Sequence, residues 1–367
     1  MLEWKSIGTI CSNVFAGGTP STKHLEYYDG TIPWIRSGEI DFNVITKAER
    51  NITELGYKNS SAKKIRPNSV VMAMTGATVA KSAVVEIETT ANQSVCAMET
   101  DESVVNYKYL FYYLAEEYFA IKSSAQGALT SLNLAMIKQT QIPIPSLTEQ
   151  TRIVGILDTF TASIENLKQQ IAQRRKQYEH YRDQLLDLEG KEGVEMKTLG
   201  EVCVLITGGE VPDNTNKGQL QPTEDHPYAV YTNGKEVYGF SNTYQVDADT
   251  VCISSIGANT GAIFYKTGRF TPAIRLKVLL PKEGLIPKYL FYACSKIDFR
   301  GRNTGSVPNI NANYVKGRKL FVPSFAEQQR IISILDTFEA SIANLEQQLA
   351  QRERQYEYYR NKLLTFE

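Results

Sequence analysis

The run most suggestive of chemistry is Gly76-Ala-Thr-Val-Ala-Lys81-Ser82, which sets a lysine and a hydroxyl after a glycine as a phosphate-cradling loop does. It lacks a second glycine directly before the lysine, so it is not a nucleotide loop of that kind. Pro212-Asp213 opens like a nuclease motif, but no Asp/Glu-x-Lys follows it. Pro-Pro never occurs, which removes the Asn/Asp-Pro-Pro-aromatic loop that amino-group methyltransferases close on a flipped base. His24, His180 and His226 stand beside no Ser or Cys of a recognisable motif and offer little for general-base work. Cys11, Cys96, Cys203, Cys252 and Cys294 form no CxxC pair, and with three histidines they give no metal-ligand spacing. They are expected to be reduced, half-buried small hydrophobes, and no metal is expected. No catalytic constellation is legible.

What remains are polar loops rich in Gly, Ser, Thr and Asn: Met74–Thr78, Ser123–Gly127, Ser254–Gly261 and Gly301–Ser306. Each by itself reads most simply as a turn. The elements that carry them belong to a chain of 367 residues with 42% apolar side chains, enough for two or three domains with their own cores. Forty Lys+Arg balance forty Asp+Glu, which excludes a polybasic coat and an acidic disordered tail. The first residues lack the basic-then-apolar order of a signal peptide, and no apolar run approaches the ~18 residues of a membrane span. A cytoplasmic protein without a membrane segment is expected.

The chain repeats itself. Residues 142–189 and 320–367 are identical at 29 of 48 positions at an offset of 178. Fainter echoes precede them: Leu2–Gly8 with Val194–Gly200, Lys108–Tyr112 with Lys288–Tyr292, and Gly76-Ala with Gly257-Ala. The order is a diverged unit, a nearly invariant segment, and both again. Strand-like stretches (Ile32–Arg36, Val70–Thr75, Ala83–Ile87, Val95–Met98) precede helical ones (Tyr107–Ile121, Leu132–Lys138) in the first unit. The second repeats the plan with Tyr228–Thr232, Val251–Ile256, Ala262–Lys266 and Ala273–Leu279 before a helix at Pro287–Ile297. That order indicates α+β units.

The invariant segments read as long helices. Each opens on a proline followed by Ser146-Leu-Thr-Glu149 or Ser324-Phe-Ala-Glu327, the S-x-x-E pattern of a capping box. Ile153, Leu157, Phe160, Ile164, Leu167, Ile171, Tyr178, Tyr181 and Leu185 then keep a heptad a/d seam, as do Ile331, Leu335, Phe338, Ile342, Leu345, Leu349, Tyr356, Tyr359 and Leu363. Arg174 and Arg352 interrupt the seam at equivalent positions and are read as snorkelling over apolar stems. Asp158 and Asp336 read as flank charge. Residues 190–323 lie between the two helices, so an antiparallel pair closes more simply than a parallel one. The expected fold class is therefore α+β: two globular units separated by an antiparallel two-helix coiled coil, related by a pseudo-two-fold internal repeat. The expected boundaries are residues 1–145, 146–189, 190–323 and 324–367.

This order, opened each time by IPIPSLTEQTRI at 142–153 and LFVPSFAEQQRI at 320–331, closely resembles the specificity subunit of type I restriction-modification enzymes. The resemblance covers the whole chain, and the doubled Pro-x-x-x-Glu-Gln-x-x-Ile helix start is its specific part. It implies that residues 1–145 and 190–323 are target recognition domains, each reading one half of a bipartite, asymmetric site in double-stranded DNA. It implies that the helices set the spacing and dock two methylation subunits, with candidate outward positions at Gln169, Gln173, Gln347 and Gln351. S-adenosylmethionine, ATP and magnesium are then expected on the methylation and restriction (motor-nuclease) subunits, and no cofactor and no catalysis in this chain. The alternatives are a coiled-coil protein-binding scaffold without DNA recognition and an enzyme with an unfamiliar site.

On that reading the base-reading candidates are long or amide side chains of the polar loops: Arg36, Lys81, Gln126 and Asn133, then Asn233, Lys235, Asn259, Arg302 and Asn303. Arginine suits guanine edges, and asparagine and glutamine suit adenine. Each serves equally as a phosphate contact or a solvated side chain. Residues 190–323 hold 16 basic and 12 acidic residues, while residues 1–145 hold 13 and 14. Phosphate contacts dominate DNA affinity, so the chain alone is expected to bind weakly and to rely on its partners for much of the electrostatic clamp.

Overall fold

A computed structural model describes residues 2–125, 131–300 and 309–366. The chain divides into two compact units, residues 1–168 with 348–367 and residues 169–347. Each is built around a β-sheet with a central strand buried on both faces, Ser69–Ala73 in one and Thr250–Ile253 in the other.

In the first unit the central strand Ser69–Ala73 is wholly buried. It pairs antiparallel with Ser82–Val85 and with Val95–Thr100. Cys11–Ala16 and Val44–Ile45 complete the five strands at the two edges. Alternation along a strand sends successive side chains to opposite faces. Val70, Met72, Val84, Cys96 and Met98 accordingly pack under helix α1 (Tyr107–Glu116), while Val71, Ala73, Ala83, Val85, Val95 and Ala97 form a second layer with Ile35, Ile40 and Ile45. A three-stranded sheet, with Tyr28–Ile35 between Arg50–Ile52 and Thr90–Ala91, carries that second layer.

The second unit uses the same plan: Cys203–Thr207, Lys277–Pro281, Thr250–Ile253 and Ile263–Lys266 form a four-stranded sheet, beside a five-stranded one containing Tyr228–Tyr231 and Arg269–Pro272. Each unit is tied off by a two-stranded ribbon, Glu3–Ser6 with Gln141–Ile144 and Glu195–Thr198 with Lys319–Val322. These ribbons are what the echo of Leu2–Gly8 in Val194–Gly200 encodes, and their second strands lead into the long helices.

Two readings of the pattern need correction. The stretch Ala273–Leu279 is not one strand: Arg269–Pro272 and Lys277–Pro281 belong to different sheets, and Ile274 and Arg275 turn the corner at φ 50° and 61°. Apolar and basic residues alternate through that corner as they would along a strand, Ile274-Arg-Leu-Lys-Val278, which hides it from periodicity. Tyr107–Ile121 is not one helix either, because Glu117 at ψ 8° separates α1 from Tyr118–Ser124. Strands Cys11–Ala16 and Cys203–Thr207 give no clean alternation and were invisible in the pattern.

The long helices are continuous: α2 (Leu147–Leu185), then, after α3 (Pro287–Cys294), α4 (Phe325–Leu364). In the first unit Phe160 stacks on Tyr359 at 5.3 Å and Lys168 faces Glu353 at 3.6 Å. In the second, Arg175 meets Glu346 at 2.5 Å and Tyr181 stacks on Phe338 at 5.3 Å. As numbers rise along α2 they fall along α4, so the helices pair antiparallel in both units. Ser146 and Ser324 accept the N–H of Glu149 and Glu327 at 3.3 Å, the first half of a capping box. The glutamates turn instead to Arg152 and Arg330, whose guanidinium hydrogen bonds hold both carboxyls below the usual range.

Candidate nucleic-acid interface

Each unit holds one polar turn of its sheet, Met74–Lys81 or Ser254–Gly261, by the same hydrogen bonds. The turn between Ser69–Ala73 and Ser82–Val85 begins at Gly76, φ 82°, and closes with Ala80, φ 67°, whose N–H reaches Ala73 O at 2.9 Å. Its counterpart begins at Gly257, φ 83°, and closes with Gly261, φ 88°, whose N–H reaches Ser254 O at 2.9 Å. The left-handed closing position suits glycine, and a Cβ at Gly261 would stand 2.9 Å from Arg300 N. A neighbouring loop is then sewn on. Thr78 Oγ1 donates to Ser37 O at 2.8 Å, and Asn259 Nδ2 donates to Asn233 O at 3.2 Å. A third strand of chain joins by Leu132 N–H to Met74 O and by Ile310 N–H to Ser255 O, both at 2.8 Å.

The frame is common and the side chains on it are not. In the first unit Arg36 pairs with Glu49 at 2.5 Å and lies 3.6 Å from Glu39, itself anchored by the N–H groups of Arg36 and Glu49. Lys81 reaches Asp41 at 2.5 Å and sits over the Phe42 ring. The Glu49 and Asp41 carboxylates are exposed, and ion pairs to such groups contribute little to stability, so both cations can exchange these two carboxylates for a phosphate or a guanine edge at small cost. In the second unit the Lys235 side chain is exposed, and its carbonyl accepts from Lys266 Nζ at 2.6 Å. Lys266 lies 3.8 Å above the Tyr231 ring, and burial pulls its pKa down.

Helix-to-unit attachment is also duplicated. Gln150 is fully buried: its Oε1 accepts Asn106 N–H at 2.8 Å and its Nε2 donates to Val104 O and Pro145 O. Gln328 does the same with Ile286 N–H, Gly284 O and Pro323 O. Tyr109 and Tyr289 donate to Pro143 O and Phe321 O at 2.7 Å. Tyr112 donates to Asp158 at 2.7 Å and Tyr292 to Asp336 at 2.5 Å, while Lys108 and Lys288 bridge to the same aspartates. The hydrogen bond to Asp158 raises the Lys108 pKa. Asp158 and Asp336 are therefore pins rather than flank charge.

The family model for the type I restriction modification DNA specificity domain matches this chain twice, over residues 1–174 and 191–354. The chain belongs to the type I restriction-modification DNA specificity family. It is 29% identical to the EcoR124I/EcoR124II specificity subunit of Escherichia coli, over the whole chain and 94% of that protein. It is 28% identical to the Escherichia coli EcoprrI specificity subunit, over 92% and 88% of the two chains. The solved S subunit from M. genitalium shares the fold at TM-score 0.68 and 18% identity, covering 100% and 97% of the two chains. Among the described residues no helix is long and apolar enough to cross a membrane.

Within this specificity fold the residues singled out from sequence fall into three groups. Arg36, Lys81, Lys235 and Asn259 lie on the sewn loops. Asn233 lies there too, with its amide engaged inside the frame by Ile274 O, Ser255 N–H and Ser254 Oγ. Asn133 caps the helix Leu134–Gln139 by accepting Met136 N–H, as Asn311 caps Ala312–Lys316. Gln126, Arg302 and Asn303 lie outside the described residues. Along the helices Ile153, Leu157, Ile171, Ile331 and Leu335 are buried. Phe160, Ile164, Leu167, Tyr178, Leu185, Phe338, Ile342, Leu345, Leu349, Tyr356 and Leu363 are half-buried, and Tyr181 and Tyr359 are exposed beyond their stacked faces. Arg174 and Arg352 lie over the rings of Phe338 and Phe160 at 5.8 and 5.6 Å, so they cover aromatic faces across the seam. Gln150 and Gln328 stand out in sequence only as part of the doubled helix start, and the Tyr–Asp pins only as a faint echo and a flank charge, because their partners are brought together by the fold.

Proposed function

We propose that the two sewn loop clusters are the DNA-reading surfaces of this specificity chain, and that each reads one half of a bipartite, asymmetric site in double-stranded DNA. The observation that carries the reading is one hydrogen-bonded loop frame, present twice, bearing Arg36 and Lys81 in one copy and Lys235 and Asn259 in the other. A common frame with unlike side chains suits a common task with unlike targets. Base edges supply that contrast, with arginine and lysine matched to guanine and asparagine to adenine.

The paired helices on this reading fix the spacing of the half-sites and offer the docking surface for two methylation subunits, as dimer geometry fixes half-site spacing in other readers. S-adenosylmethionine and the adenine chemistry belong to those subunits, ATP and magnesium to the restriction subunits, and this chain supplies the address in the cytoplasm without catalysing a step. Residues 1–145 and 190–323 are the two target recognition domains, joined by the spacer helices of residues 146–189 and 324–367. Gel shifts of the chain with its methylation partner on genomic fragments test the reading. A sequence-selective shift is expected from the complex, and weak salt-sensitive binding from the chain alone. No selective shift would favour the protein-binding scaffold, and nanomolar binding by the isolated chain in physiological salt would contradict the shared clamp.

A further inference from the structure

The aromatic contacts of the seam between α2 and α4 cannot tell one repeat from the other. Phe160 on Tyr359 and Phe338 on Tyr181 are the same contact, because Tyr181 is the repeat counterpart of Tyr359 and Phe160 of Phe338. Arg352 over Phe160 and Arg174 over Phe338 are likewise one contact made twice. Two copies of either repeat could rebuild all of them.

The charges do tell the repeats apart. Among the 48 repeat positions only two carry opposite charges in the two copies, Lys168 against Glu346 and Arg175 against Glu353. Both positions flank the seam, and each cation meets the other position's anion: Arg175 with Glu346 at 2.5 Å and Lys168 with Glu353 at 3.6 Å. Put a second copy of the first repeat in place of the second, and Arg175 faces Lys168 twice. Pair the second repeat with itself, and Glu346 faces Glu353 twice. The helix ends lean the same way. Asp183 accepts from Lys296 at 2.9 Å, and Glu116 holds Arg360 and Asn361. Self-pairing would bring the Asp183 carboxylate to Glu116 in one case and leave Lys296 facing Arg360 in the other.

We infer that these charges select the unlike repeat as partner, so that the helix of residues 146–189 accepts that of residues 324–367 and rejects a second copy of itself. The partner that fits this surface is the other half of the same sequence. Each exposed pair is weak alone, but all of them act with one sign, and like charges in contact penalise the wrong pairing. The device keeps two unlike units in one molecule. Its value for an asymmetric DNA site rests on the function proposed above, whereas the pairing itself is measured without DNA.

The test starts from the folded full chain with a protease site in the exposed turn at residues 189–193. Tagged and untagged batches are cleaved and mixed under conditions in which the tag is seen to exchange, and the pairs are counted by native mass spectrometry. Unlike pairs should exceed like pairs at least ~10-fold over random assortment at low salt, and the excess should shrink as salt screens the charges. The double variant Arg175→Glu with Glu353→Lys makes both like pairings attractive and the unlike one repulsive, so it should invert the ratio. Reversing all four charges (Lys168→Glu, Arg175→Glu, Glu346→Lys, Glu353→Arg) should restore the unlike pair. Random assortment of the native chain, or a ratio that the double variant leaves unmoved, would overturn the inference.

Discussion

Gln150 and Gln328 show how a buried amide can fasten two elements. Each satisfies a backbone N–H of its unit and two carbonyls, one on the unit and one just before the helix. Replacing either with leucine keeps the volume but strands buried polar partners, which costs about 1–3 kcal/mol for each group left unsatisfied. Gln150→Leu and Gln328→Leu should therefore each lower the unfolding midpoint by several degrees in thermal or denaturant melts. An unchanged midpoint would mean the amides are not fasteners. The tyrosines beside them set a pH limit. Burial raises the pKa values of Tyr109 and Tyr289, and raises that of Tyr113 to about 12. A group whose folded pKa exceeds its unfolded value stabilises fully below the unfolded value, about 10 for tyrosine, and loses that stabilisation as pH climbs through the folded one. Stability should hold through pH 9 and fall steeply above roughly pH 10, with phenolate absorbance rising together with loss of helix.

At the scale of elements, the helices hold the units through a few buried positions. Leu157 and Leu335 are both fully buried, the first among the core of one unit and the second among that of the other. Truncating either to alanine should cost about 2–5 kcal/mol, read from denaturant midpoints. The heptad spacing and the doubled helix start made both helices, their seam and their antiparallel sense legible in the amino-acid order. The sheets were half legible: Val70–Thr75 and Ala83–Ile87 stand out because burial on both faces makes them nearly continuous apolar runs. Cys203–Thr207 did not, because it is a partly exposed edge strand, and the corner at Ile274 and Arg275 is a backbone event that side-chain pattern does not record. The loop cluster was legible only as separate polar stretches. The bond from Asn259 to the Asn233 carbonyl, across 26 residues of chain, exists only once the sheet has brought the two loops together.

For the whole molecule, the contrast between a nearly invariant repeat and a diverged unit follows from two different physical demands. Residues that pin helix to unit, such as Asp158 with Tyr112 and Asp336 with Tyr292, must meet the same geometry twice and stay the same. Side chains exposed on the loop frame, such as Lys235, meet no such demand and are free to differ. The central claim is that each frame addresses its own half-site independently. The direct measurement is to exchange residues 1–141 for the matching unit of a homologue, express the chain with its methylation partner, and map methylated adenines by single-molecule sequencing. One half-site should change, while the other half-site and the spacing between them stay as they were. A change in both half-sites, or in neither, would contradict the account.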